Sequence, residues 1–179
     1  GKLNITNAYY GSNKACLNLS NNYATAFVKA LMQKYITYFQ GKGCKYFNFG
    51  ADEYTGGWNS TFYNYANEIV SMISAAGMNA RIFNDSFRSD SNNGYVNNAQ
   101  VCYWSSNSGY ASTATVYNYA KEIINTNQDF YYVVNKDTQQ STWSPNSYYA
   151  FSGSFDETTW VNYAKNFSNT TYKNFAGYN

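Results

Sequence analysis

The stretch Lys45-Tyr46-Phe47-Asn48-Phe49-Gly50-Ala51-Asp52-Glu53 decides how the rest of this 179-residue chain is read. Its first five residues carry three aromatic rings, a composition that suits a short, half-buried strand. Gly50 stops that strand and delivers Asp52 and Glu53 at its C-terminal end, where parallel barrels of alternating strands and helices keep their chemistry. The chain holds only four Glu and six Asp, so two adjacent carboxylates at one strand end are a pointed signal.

Outward from this strand the same rhythm recurs. Upstream, a helix is expected over Asn22 to Gln40, with Phe27, Leu31, Tyr35 and Phe39 at helical spacing after the cap cluster Ser20-Asn21-Asn22, and with Gly41 and Gly43 at its end. Downstream, the pattern predicts a helix over Ser60 to Ala76 and a strand over Asn79 to Phe83 that leads into Asn84-Asp85. A strand over Gln100 to Trp104, a helix over Ser112 to Ile124 and a strand over Asp129 to Val134 follow. The tail from Ser147 to Asn179 reads as irregular, apart from one short helix over Glu157 to Asn166. Strands alternating with helices in one direction give an α/β chain built of parallel (β/α) units, which we read as part of a TIM barrel in a single domain over residues 1–179.

Composition narrows the chemistry. Charged residues make up 12% of the chain, and 12 Lys plus Arg against 10 Asp plus Glu leave a formal charge of +2, too little surplus for a nucleic-acid partner. No run of 18 apolar residues exists, so no membrane span is expected. The absence of histidine excludes Ser-His-Asp and Cys-His nucleophile systems and His-ligated zinc. Cys16, Cys44 and Cys102 stand far apart and are expected as buried free thiols, with no metal site. Acid-base work therefore falls to carboxylates, lysines or tyrosines. The 21 Tyr, 12 Phe and 4 Trp, together with 27 Asn, suit a sugar ligand, since rings pack on the C–H faces of a pyranose and amides bond its hydroxyls. A compositional bias toward Asn and Tyr is the plainer explanation of the same numbers.

Adjacent side chains on extended backbone point to opposite sides, so Asp52 and Glu53 do not easily face each other across a glycosidic bond. One can instead orient a substrate group while the other reaches the leaving oxygen. The structural alternative is an acid that caps a helix.

Tyr46-Phe47-Asn48-Phe49-Gly50-Ala51-Asp52-Glu53 resembles the fourth-strand signature of glycoside hydrolase family 20, the β-N-acetylhexosaminidases, in which an apolar strand runs into Gly-(Gly or Ala)-Asp-Glu. Other segments are similar in order: Leu17-Asn18-Leu19-Ser20 to the end of the third strand, Phe83-Asn84-Asp85 to the fifth, Val101-Cys102-Tyr103-Trp104-Ser105 to the sixth, and Asn125-Thr126-Asn127 through Tyr131-Tyr132-Val133 to the seventh. The likeness is greatest to bacterial cell-surface members that act on glycoprotein glycans. It implies an extracellular or surface location, no cofactor, and substrate-assisted retention, in which the acetamido oxygen of a terminal N-acetylhexosamine attacks its own anomeric carbon. On this resemblance Glu53 is the general acid and then base, and Asp52 orients the acetamido nitrogen. Tyr131 or Tyr132 bonds the acetamido oxygen, Trp104 walls the acetamido pocket or fills the barrel core, and Asp85, Trp143 and Asp137 are further sugar contacts. Asp85 lacks the tryptophan that the family usually places before it, having Phe83 and Asn84 there.

The resemblance covers about strands three to seven of an eight-stranded barrel, without the first-strand arginine or the last-strand tryptophan and acid. The chain is therefore expected to be a piece of a longer protein or to self-associate so that its sheet edges are covered. Two readings from other classes stand beside the enzyme: a non-catalytic carbohydrate-binding module, and a structural surface protein.

Overall fold

The computed structural model describes residues 5–10, 16–90, 94–105 and 108–126, together with the backbone of 175–178. A small antiparallel hairpin, β1 (Tyr9–Tyr10) and β2 (Cys16–Leu17), precedes a five-stranded sheet. The sheet contains β3 (Tyr46–Asn48), β4 (Asn79–Phe83), β5 (Gln100–Tyr103), β6 (Glu122–Asn125) and β7 (Phe175–Tyr178), in sequential order and parallel throughout. The helices are α1 (Asn22–Gln40), α2 (Ser60–Ala75) and the short α3 (Thr113–Tyr117). Among the described residues the sheet is open, and none of these helices is long and apolar enough to cross a membrane.

Local chemistry accounts for most of these elements. Asn21 caps α1 by accepting from the backbone N–H groups of Tyr23 and Ala24, and Asn59 caps α2 through the N–H of Phe62. Helix α2 buries Phe62, Tyr63, Ala66, Ile69, Val70 and Ile73, a stripe at helical spacing that covers β4. Ala80 and Ile82 of β4 point into this layer, as period-two alternation requires. On the opposite face the register aligns Asn48 with Arg81, Arg81 with Gln100, and Gln100 with Glu122. A polar row runs across the strands there: Arg81 Nε donates to Gln100 Oε1 at 2.7 Å, Gln100 Nε2 donates to Glu122 Oε2, and the Arg81 guanidinium lies over the Tyr46 ring.

Several expectations are corrected. The helix expected over Ser112 to Ile124 is α3 followed by a turn and then strand β6. Val116, Ala120, Ile123 and Ile124 are all buried and fall at a spacing that imitates a helix, whereas Ile123 and Ile124 are buried on both faces of a parallel sheet. Leu17 belongs to the antiparallel hairpin instead of a strand of the main sheet, tied there by Asn18, whose N–H donates to Ala8 O at 2.8 Å. The end of the tail is ordered into β7 rather than irregular. Of the three free cysteines only Cys102 is buried; Cys44 is exposed. The apolar stripe of α1 also differs: Phe27, Leu31, Tyr35 and Phe39 are exposed, and the helix buries Ala24 and Ile36. The strand expected over Asp129 to Val134 and the helix over Glu157 to Asn166 lie outside the described residues.

Candidate active site

The C-terminal ends of β3, β4 and β5 build the site. Phe49 N–H donates to Arg81 O and Phe83 N–H donates to Gly50 O, so β3 stays paired with β4 as far as Gly50. The backbone then turns sharply. Gly50 has φ of 79°, and Ala51 and Glu53 also lie in the left-handed region at 67° and 48°. For residues with a Cβ this conformation is uncommon and costs on the order of 1–3 kcal/mol, a strain that collects at functional sites. Glu53 is consequently not on extended backbone, and both the Asp52 and Glu53 side chains are exposed.

A cleft of about 730 Å³ opens over this turn, lined by Asp52, Glu53, Trp58, Arg88 and Tyr110 among others. A second, more apolar cavity of about 320 Å³ shares Cys16, Asp52 and Tyr54 with it and extends between α1 and α2. Tyr54 stands between the two, its hydroxyl donating to Leu17 O at 3.2 Å and its ring packed on Trp58 and Phe62. Burial, reinforced by nearby Tyr10, drives the Tyr54 phenol well above its ordinary pKa.

The loops after β4 and β5 are laced together. Ala111 N–H donates to Phe87 O at 2.7 Å, Ser89 N–H donates to Gly109 O, and the Arg88 guanidinium sits 4.8 Å from the centre of the Tyr110 ring. Gly109, at φ of 91°, makes this approach possible, because a Cβ there would stand 2.5 Å from an Arg88 nitrogen. Burial, and then the adjacent Asp85 charge, raises the Tyr110 pKa and keeps its hydroxyl a donor.

The residues expected at the site are distributed unequally. Asp52 and Glu53 line the cleft. Trp104 is half-buried just beyond β5, its indole N–H donating to Asp85 Oδ2. Asp85 is fully buried, so it lies in the support of the site and not on its surface. Tyr131, Tyr132, Asp137 and Trp143 lie outside the described residues. Trp58, Arg88 and Tyr110 carry no motif in the sequence. Their one signal is position, since each follows a strand within the loops that a barrel uses for its site. Among the described residues no group of three His, Cys, Asp or Glu side chains could hold a metal ion.

No family model matches the sequence. Solved structures do. A structure of the tandem GH20 catalytic modules of the pneumococcal exo-β-D-N-acetylglucosaminidase StrH matches at 31% identity and a TM-score of 0.65, covering 76% of this chain and 38% of that one. A second StrH structure, from a study of N-glycan recognition and hydrolysis, matches at 30% identity and a TM-score of 0.66 over the same shares. The crystal structure of Dispersin B matches in fold, at 20% identity and a TM-score of 0.61, over 90% of this chain and 52% of that one. The chain thus spans well under half of the StrH structures and about half of Dispersin B. The parallel sheet whose strand β3 runs on into Asp52-Glu53, and the match to these structures in fold and sequence, relate the chain to the glycoside hydrolase family 20 hexosaminidases.

Proposed function

We propose that this chain is the catalytic portion of an exo-acting β-N-acetylhexosaminidase that removes terminal β-linked N-acetylglucosamine or N-acetylgalactosamine from glycans by substrate-assisted retention, without a cofactor. The observation that carries this reading is the placement of two adjacent exposed carboxylates along a cleft, with Glu53 on left-handed backbone. Adjacent residues so placed suit one acid acting on the leaving oxygen and one acting beside it. They do not suit a nucleophile and an acid facing each other about 5 Å apart.

Glu53 donates its proton to the glycosidic oxygen as the acetamido oxygen attacks the anomeric carbon and the bond to the leaving sugar breaks. Asp52 accepts a hydrogen bond from the acetamido N–H and steadies the charge of the oxazolinium ion that forms. Glu53, now a carboxylate, takes a proton from water as that water attacks the anomeric carbon and reopens the ring with net retention. Trp58 and Trp104 offer rings for the sugar face, and Tyr131 or Tyr132 is the partner proposed for the acetamido oxygen. Asp137 and Trp143 are proposed as outer contacts. The protein is proposed to work outside the cell or on a bacterial surface, where glycans are met, and self-association or further segments of a longer chain would cover the sheet edges.

Release of nitrophenol from an aryl N-acetyl-β-glucosaminide tests the reading. Glu53→Gln is expected to lower turnover by about 100-fold or more, because the same group also takes the proton from water in the second step, a need that a good leaving group does not relieve. The matching 2-trifluoroacetamido substrate, whose carbonyl oxygen is a poorer nucleophile, is expected to react more slowly with the unaltered chain. Saturable binding of N-acetylglucosamine with no turnover would favour a carbohydrate-binding module instead.

A further inference from the structure

The turn after β4 contains a carboxylate that no ligand can touch. Asp85 is 0% exposed, yet three donors converge on it, one from the turn after β3 and two from the loop after β5. Its Oδ1 accepts from the backbone N–H of Glu53 at 3.3 Å and from the Tyr110 hydroxyl at 3.0 Å, and its Oδ2 accepts from the Trp104 indole. We propose that Asp85 is a positioning residue for this site, holding the Glu53 main chain, the Trp104 ring and the Tyr110 hydroxyl in one fixed arrangement. The inference rests on the hexosaminidase reading above for its consequence in catalysis, and on geometry alone for the clamp itself.

The turn that carries Asp85 is itself tied down by hydrogen bonds. Asn84, also fully buried, donates to Ser105 O at 2.7 Å and accepts from the Trp104 N–H at 2.8 Å, so the same two-residue turn grips Trp104 by both backbone and ring. Ser86 O in turn accepts from the Tyr63 hydroxyl at 2.7 Å, which anchors the turn to α2. A carboxylate is the group this position requires, because it alone presents acceptors on both oxygens; an amide would turn a donor toward a donor. The Glu53 N–H it holds belongs to a residue in the left-handed region, where the main chain would otherwise relax. An acid misplaced by an ångström loses much of its effect on the leaving oxygen.

The prediction is specific to the leaving group. In the full chain, Asp85→Asn is expected to lower kcat/KM by roughly 100-fold for diacetylchitobiose, whose sugar leaving group needs protonation, and by less than about 10-fold for a 2,4-dinitrophenyl glycoside, which does not. A merely structural role would lower both equally, and equal losses would overturn the proposal. Tyr110→Phe, which removes one donor and leaves the carboxylate, is expected to shift the same ratio in the same direction but less. Nitrogen-edited NMR reads the clamp without turnover. In Asp85→Asn the Glu53 amide and Trp104 indole signals are expected to move while the Ile69 amide stays. Unmoved Glu53 and Trp104 signals would refute the clamp, whereas absence of turnover in the unaltered chain would refute only the hexosaminidase reading.

Discussion

Two acidic turns stand side by side at one end of the sheet and differ in almost every physical respect. The turn after β3 exposes Asp52 and Glu53, with Glu53 on left-handed backbone. The turn after β4 holds Asn84, Asp85 and Ser86, all polar and all 0% exposed, with their side chains hydrogen-bonded. The same functional group is placed in opposite ways: exposed, it can meet a ligand; buried and ringed by donors, it meets only the chain's own groups. The strained turn depends on the satisfied one, since Glu53 N–H is held by Asp85.

The contrast can be broken at either turn. The largest expected effect is Glu53→Gln, which abolishes most turnover while leaving the melting temperature within a degree or two, because an exposed side chain carries little stability. Asn84→Ala adds a loss of stability. Removing the amide takes a hydrogen bond from the Ser105 carbonyl and another from the Trp104 N–H, and denaturant unfolding is expected to show a loss of about 2 kcal/mol. The smallest effect is expected at Tyr63→Phe, about 1 kcal/mol from the bond to Ser86 O. This residue also gives a sign in pH. Burial pushes the Tyr63 phenol up to about 12, from an ordinary 10. The unfolded chain therefore releases this proton first, and the stability it contributes is complete below pH 10 and lost as pH rises from 10 to 12. Thermal melts across that window are expected to fall less steeply for Tyr63→Phe.

Much of this was legible in the residues. The caps of α1 and α2 and the alternation of β4 are local, and local chemistry decides them. Residues 112–124 were not, because Ile123 and Ile124 are buried on both faces of a parallel strand and periodicity then loses its meaning. Helix α1 illustrates a different limit: spacing placed Phe27, Leu31, Tyr35 and Phe39 on one stripe, but a stripe does not reveal what will cover it, and here they are exposed. The Asp52-Glu53 pair was readable because adjacency and the preceding Gly50 already restrict its geometry. Arg88 and Tyr110, 22 residues apart, are joined by a Gly109 approach that only the folded chain discloses. Nor does any pattern separate Asp85 from an exposed acid; three donors drawn from the loops after β3 and β5 decide it.

The parallel register also carries a history of assembly. Ile82 meets Val101 and Val101 meets Ile123 across segments of about 20 residues, whereas Ile123 meets Phe175 only after 52. Closing the longer segment costs roughly 0.9 kcal/mol more chain entropy than closing the shorter ones. On chain entropy alone, β4, β5 and β6 are expected to pair first and β7 to dock last, so the turn after β4 is expected to form while the far edge of the sheet is still open.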